Sequence, residues 1–398
     1  MNVPTSNMAN LAEPAEIARR LERYVGIDST NPSIGDGVGE AAMGDALASD
    51  LASFGLKVDR QEVAPGRSNI FGYLGTDPSL PTIVLDSHLD TVPKSKTMSP
   101  PGWRDGILFG RGACDDKGPL VAMVEAVRQL ALRPGYRKAN VILLGTVDEE
   151  VTVKGAETAL SRLKNADLIL VGEPTGLDIG TWHKGTTRFT IETLGRSGHS
   201  SMPEKADNAI MHMGEVLARI RDRVIPALLC LRHPDGETCK MSVGAISGGG
   251  PLNQVPALCR IGVDIRRIPG VETEQVVSIF EDVLTDMISA GIARIGPLLV
   301  SSRAFASTAT DEMTALMVET ARAHGAPSRP IGLPFGTNAN RFAPGLAPSF
   351  IVGPGSIDHA HADDEQVVLA DVVAAANFFI DVVDKAPALL GVTAADER

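Results

Sequence analysis

Short apolar runs, many of them β-branched, alternate with stretches of helical periodicity along most of the 398 residues. VDRQEV (58–63) and NIFGYLG (69–75) predict strands. TIVLDSHLD (82–90), VILLGTVDEE (141–150) and LILVGEPT (168–175) do so too, because each apolar stretch is short and ends in Asp, Gly or Pro, the mark of a strand buried on both faces. Helices are predicted for EIARRLERYVGI behind Pro14, for the segment from Gly39 to Phe54, and for GPLVAMVEAVRQLAL, which ends before Pro134. Roughly the first nine residues read as a loose leader. Strands alternating with helices imply an α/β fold, a mainly parallel sheet flanked by helices, with ligands bound beyond the carboxyl ends of its strands.

The rhythm changes in the middle of the chain. TRFTIETLG, NAIMHMGEVLARIRDRV, KMSVGAIS, LCRIGVDIRRI, EQVVSIFEDVLTDMISA and ARIGPLLVS read as strand, helix, strand, strand, helix, strand. That order is the ferredoxin-like βαββαβ motif and predicts an inserted α+β domain over 186–300 within a catalytic domain of 1–185 and 301–398. Helix DEMTALMVETARAHG, strand SFIVG and helix VVLADVVAAANFFIDVVD then complete the catalytic domain.

Composition narrows the function classes. A net charge of −12 without any basic run disfavours nucleic acid and anionic membrane as partners. The four cysteines, Cys114, Cys230, Cys239 and Cys259, form no CxxC pair, which argues for reduced thiols and a cytoplasmic location. The N-terminus lacks the basic and apolar regions of a secretion signal, and no apolar stretch is long enough to span a bilayer.

The predicted strand ends carry the candidate chemistry. They supply His88, Asp115, Glu150, Glu173 and His361, two imidazoles and three carboxylates, which suit a pair of divalent cations such as Zn, Mn or Co better than one structural zinc. Asp90 follows His88 by two residues, where a carboxylate commonly takes the second imidazole N–H of a ligating histidine. HxD alone also describes an ordinary polar strand end, and an acid such as Asp115 also suits a helix N-terminus, a simpler role that Asp116 fits better. Adjacent acids in 148-DEE-150 are not explained by packing, because burying unpaired carboxylates is costly.

Together SHLDTVP, GRGACDDKG, DEE, GEPT, GRSGHSS, LNQVP and HAHADDE, in that order, resemble the M20 family of co-catalytic metallopeptidases and amidohydrolases across nearly the whole chain. The resemblance implies that Asp115 bridges two metal ions, zinc foremost with cobalt or manganese as alternatives. His88 and Glu173 would complete one site, and Glu150 and His361 the other, with Glu149 as general base. The pattern GPGSIDxAHxxDE aligns His361 rather than His359 with the ligand.

The same resemblance implies a homodimer built through the inserted domain, which acts as a dimerisation and lid domain. His199 would assist catalysis and Asn253 would contact substrate, both across the dimer. Arg266 is a candidate clamp for a substrate carboxylate, since guanidinium pairs bidentately with carboxylates. Lys184, Gly336 and Thr337 are further substrate contacts, although Lys184 equally fits a solvated hinge charge. Members resembling acetylornithine deacetylase carry GTDA where this chain has GTNA, and the loss of an acid at Asn338 weakens the expectation of a cationic substrate side chain. The expected reaction is deacylation of a small carboxylate-bearing N-acyl amino acid. A dipeptidase or carboxypeptidase, and a hydrolytic deaminase, are the alternatives on the same fold. A catalytically inactive relative would lack the base or a ligand, and none is missing here.

Overall fold

The computed structural model describes residues 12–133, 135, 138–342 and 345–390. The expected leader and Pro134 lie outside them. The chain forms two compact units: Met1–Thr181 with Ser307–Gly332 and Thr337–Arg398, and Trp182–Ala306 with Leu333–Gly336.

In the first unit the central sheet runs in the order Lys57–Ala64, Arg67–Leu74, Asn140–Thr146, Thr82–His88, Leu168–Val171, Ser349–Ile351 and the start of Ile179–His183. Its centre is parallel, Thr82–His88 pairing with both Asn140–Thr146 and Leu168–Val171, and Leu168–Val171 pairing with Ser349–Ile351. The ladders towards both edges are antiparallel. The mainly parallel centre and its helical cover agree with the expectation from periodicity. Asn140–Thr146 is buried along its whole length, which is why it reads as a continuous apolar run rather than an alternating one. His88 pairs with Thr146 and Asp86 with Val171, so the segments leaving these strands emerge at one end of the sheet.

Helix Lys117–Leu132 is apolar on nearly every face because it is enclosed on every face. Helices Leu369–Lys385 and Pro14–Gly26 pack on it. Pro14–Gly26 contributes Ile17, Leu21, Tyr24 and Val25 to the core, each worth about 1.5–3 kcal/mol of burial. A small antiparallel sheet of Gly102–Arg104, Ile107–Phe109 and Gln366–Val368 was not expected. Val367 and Val368 read as the start of the last helix, which begins instead at Leu369.

The second unit has four antiparallel strands in the order Lys240–Gly248, Leu258–Arg267, Gly185–Leu194 and Ala293–Ser302. Helix Thr273–Ser289 buries Val276, Phe280 and Leu284, with Phe280 edge-on to Phe189 at 5.2 Å between ring centres. The expected single helix from Asn208 to Val224 is two joined pieces, Ala209–Arg219 and a π turn at Ile220–Val224, and the helical path runs on beyond the expectation as Ile225–Cys230. Asn208 caps the first by accepting from the N–H groups of Ile210 and Met211. Among the described residues, no helix is long and apolar enough to cross a membrane.

One buried acid, Glu125, ties the first unit's helices together. It accepts from Arg20 (3.2 Å), Arg128 (2.9 and 3.0 Å), Gln129 (2.9 Å) and the N–H of Glu13 (3.1 Å). Glu125→Ala removes the buried acceptor that Arg20 and Arg128 share and leaves them Asp50 and Glu13 as partners, and urea denaturation at neutral pH is expected to show a loss of about 1–3 kcal/mol. Burial pushes this carboxyl up, but Arg128, Gln129 and the Glu13 N–H bring it below its ordinary value of 4.5. A group lowered on folding stabilises fully above its unfolded value and loses that contribution as pH falls through the folded one. The parent and variant stabilities are therefore expected to converge in acid.

Candidate metal centre

His88 ends its strand almost fully buried. Its Nδ1 lies 2.9 Å from the backbone carbonyl of Asp90, and a carbonyl only accepts, so Nδ1 carries a proton and Nε2 is the nitrogen that faces the acids. That Nε2 stands 2.9 Å from Asp115 Oδ1. The expected Asp90 carboxylate is the longer partner of Nδ1, at 3.5 Å. It accepts instead from the N–H groups of Glu149 (3.0 Å) and Glu150 (3.1 Å) and from Asn31 Nδ2 (2.7 Å). Asp90 thus orients the imidazole through its backbone while its side chain holds the two glutamates in place.

Asp115 lies at the end of a tight turn. Gly112 has φ +80°, and a Cβ there would meet Thr91 Cγ2 at 2.8 Å, so neither the backbone nor the space favours another residue. The Asp115–Asp116 peptide is cis. Glu365, buried and paired with Arg111, accepts from the N–H groups of Cys114 (3.2 Å) and Asp115 (3.1 Å). Arg111 also donates to the carbonyl of His361 at 3.3 Å, linking the two loops. Asp115 Oδ2 stands 3.3 Å from His361 Nε2, which is 3.2 Å from Glu150 Oε2. The two Asp115 oxygens therefore face different imidazoles.

Among the described residues, the atoms that could hold a metal gather into two groups, His88 with Asp115 and Asp116, and Asp115 with Glu150 and His361; the expected Glu173 is in neither. Asp116 was set aside as a helix-terminal acid. It does stand at the N-cap of Lys117–Leu132, but its Oδ2 accepts from the Ser87 hydroxyl and the His88 N–H (3.1 Å). Asp148 and His361 both adopt left-handed backbone, φ 66° and 63°, conformations that non-glycine residues hold only where their surroundings enforce them.

Electrostatics show what the donors suit. Burial raises Asp115, but the His361 and His88 imidazoles more than reverse this and keep it ionised. Burial raises Glu149 well above the ordinary range; His88 opposes this, and Glu150, Asp90 and Asp115 add to it. Glu173, also buried, is raised by burial and by the nearby Asp115, Glu149 and Asp116 charges. So many acids share one buried place with two imidazoles that bound divalent cations would relieve their repulsion, and the donor set of nitrogen and oxygen suits zinc, cobalt or manganese.

The model of peptidase family M20/M25/M40 matches residues 84–385. The chain belongs to this family. Membership makes it a metal-dependent hydrolase of amide or peptide bonds. It is 30% identical over 376 residues to acetylornithine deacetylase of Proteus mirabilis, covering 89% of this chain and 92% of that one. The fold is similar to that of aminopeptidase PepT from Bacillus cereus, with TM-score 0.78 and 20% identity, covering 94% of this chain and 99% of that one. It is also similar to a dinuclear metal-binding peptidase of family M20 from Bacillus subtilis, with TM-score 0.69 and 14% identity, covering 93% and 97%.

Other residues expected in this M20 site stand as follows. His359 lies beside Gln366 Nε2, 3.2 Å from its Nε2, apart from the two ligand groups. Lys184 is neither solvated nor free: it is buried, with Nζ 2.7 Å from Glu237 and 3.0 Å from the Thr238 carbonyl. Arg266 is half-buried and donates to Asp264 (2.8 Å) and Thr186 (3.1 Å). His199 and Asn253 are exposed on paired segments of the second unit, where His199 Nδ1 contacts the Ser201 hydroxyl at 2.7 Å. Gly336 is exposed and Thr337 buried.

The Asn338 side chain is buried and donates to Asp86 Oδ2 (3.0 Å) and Thr146 Oγ1 (2.8 Å). Sequence reasoning passed over Asp86, Arg111 and Glu365, and gave Asp116 only a helix-terminal role. For Asp86 the signal was present, since an acid inside an apolar strand must find partners or carry a large cost. Glu365 closes HAHADDE but is far in sequence from the turn it holds, so no local pattern reveals its task.

Proposed function

We propose that this enzyme removes the acyl group from a small, carboxylate-bearing N-acyl amino acid, using two divalent cations that share Asp115. The observation carrying this reading is the division of Asp115 between two partners: Oδ1 towards His88, and Oδ2 towards His361, which in turn reaches Glu150. His88, Asp115 and Glu173 would hold one cation and Asp115, Glu150 and His361 the other, zinc foremost. When bound, such a pair lowers the proton affinity of a shared water and polarises the substrate carbonyl.

The chain supplies the proton handling. Glu149 neighbours the ligand Glu150, and its backbone is pinned by Asp90, so its carboxylate is the base that takes the proton from water and returns it to the leaving amine. Arg266 is the carboxylate clamp of this reading, with Gly336 and Thr337 as donors to substrate. Lys184 is the weakest of the expected contacts, because Glu237 already satisfies it.

The protein acts as a cytoplasmic homodimer through its second unit, with His199 and Asn253 serving the other copy. Support comes from exposed apolar residues on the two outer strands of its sheet, Val243 and Ile246 on one and Leu298 and Leu299 on the other, and from four free cysteines. Purified protein with zinc or cobalt should release amine from N-acetyl, N-formyl or N-succinyl amino acids faster than from dipeptides, by more than about tenfold in kcat/KM. Preference for dipeptides overturns the deacylase reading, and ammonia release from an unacylated amine points to the deaminase.

A further inference from the structure

The interior of the sheet carries a polar ring that the proposed chemistry does not use. Asp86 and Thr146 are fully buried on adjacent parallel strands, and Asn338 closes over them from the loop after Gly336. Asn338 Nδ2 spends one hydrogen on Asp86 Oδ2 and the other on Thr146 Oγ1, while the Thr146 hydroxyl donates to Asp86 Oδ1 at 3.2 Å. Three donor hydrogens meet three acceptors. The orientation of the amide follows from this, because a flipped Asn338 would set its oxygen against the carboxylate. Among the described residues, the remaining Asn338 oxygen has no partner, so the ring and not a further contact fixes the side chain.

We propose that Asp86, Asn338 and Thr146 form a positioning unit that sets the spacing between the two halves of the metal centre, with the single acid of the ring at 86. Asp86 precedes His88 by two residues on one strand. Thr146 ends the strand that leads into Asp148, Glu149 and Glu150. One ring therefore joins the strand bearing a ligand of one group to the strand bearing the base and a ligand of the other. In the GTNA segment the amide at 338 thus faces an acid on the sheet. An acid at both positions would place two acceptors face to face with one hydroxyl proton between them. Exchanging the two restores one acid and one amide.

This inference rests on the di-metal reading, and the test separates them. Chelator-stripped parent, N338D, D86N and the D86N/N338D exchange are titrated with Zn2+ alone, and each is then assayed for kcat and KM on N-acetyl amino acids. N338D is expected to bind Zn2+ about 10- to 100-fold more weakly, with kcat falling and KM held, and the exchange to recover most of both. A merely structural strut would lower the melting temperature while leaving Zn2+ affinity and kcat of the folded protein unchanged. N338D with parental affinity, or an exchange no better than N338D, overturns the proposal. If N338D does not fold, D86N replaces it in the comparison: an exchange above D86N supports the proposal, and one at or below it overturns it. Zn2+ affinities that divide as expected without amine release sustain the positioning unit and remove the deacylase reading.

Discussion

Glu149→Ala is expected to lower kcat by about 100- to 10,000-fold while the protein keeps its fold and its metal. The residue is well placed for so clean a result. Its backbone is held by the bond from its N–H to Asp90 Oδ1, at 3.0 Å, which truncation of the side chain does not touch. The neighbouring Glu150 has its own bond to Asp90 and its own contact with His361. Loss of the carboxylate therefore removes the proton acceptor and leaves the ligands standing. Steady-state kinetics with metal analysis of the same sample tests this, and full turnover by a metal-loaded Glu149→Ala protein contradicts the assigned role.

Asp115→Ala is expected to act on both cations at once. Among the described residues, Asp115 alone belongs to both candidate ligand groups, and each of its oxygens faces a different imidazole. Its removal should weaken metal binding by more than the about 10- to 100-fold typical of losing an outer hydrogen-bond partner, and for both ions together. His361→Ala, by contrast, touches one group only and should spare one ion. Equilibrium dialysis followed by elemental analysis distinguishes the two: near-zero against near-one ion per chain. Retention of one tightly held ion by Asp115→Ala would show that the sites do not share it.

The central strands were legible because burial on both faces leaves an unbroken apolar record, as in Asn140–Thr146, and because polar residues end each run where the sheet meets its ligands. Shorter elements leave no such record. Gly102–Arg104, Ile107–Phe109 and Gln366–Val368 span three residues each, below the length at which alternation is recognisable, and the last joins the local pair only from far away in sequence. The π turn at Ile220–Val224 keeps its apolar positions roughly on one face, so periodicity alone could not divide that helix. The metal-facing residues at the strand ends were visible through residue type and order. Of the residues that hold them, Asp90 was visible through its spacing from His88, whereas the tasks of Asp116 and Glu365 were not, because their carboxylates accept from backbone N–H groups, which carry no sequence signature. Asn338 marks the opposite case, a visible departure whose meaning lay in a partner, Asp86, some 252 positions away.

The central claim is that hydrolysis depends on two cations held around Asp115. Its most direct measurement is the rate of amine release from an N-acyl amino acid as Zn2+ is titrated into chelator-stripped protein, with bound metal counted at each point. The account predicts no turnover without metal and full activity when two ions per chain are bound. Full turnover by metal-free protein would contradict it.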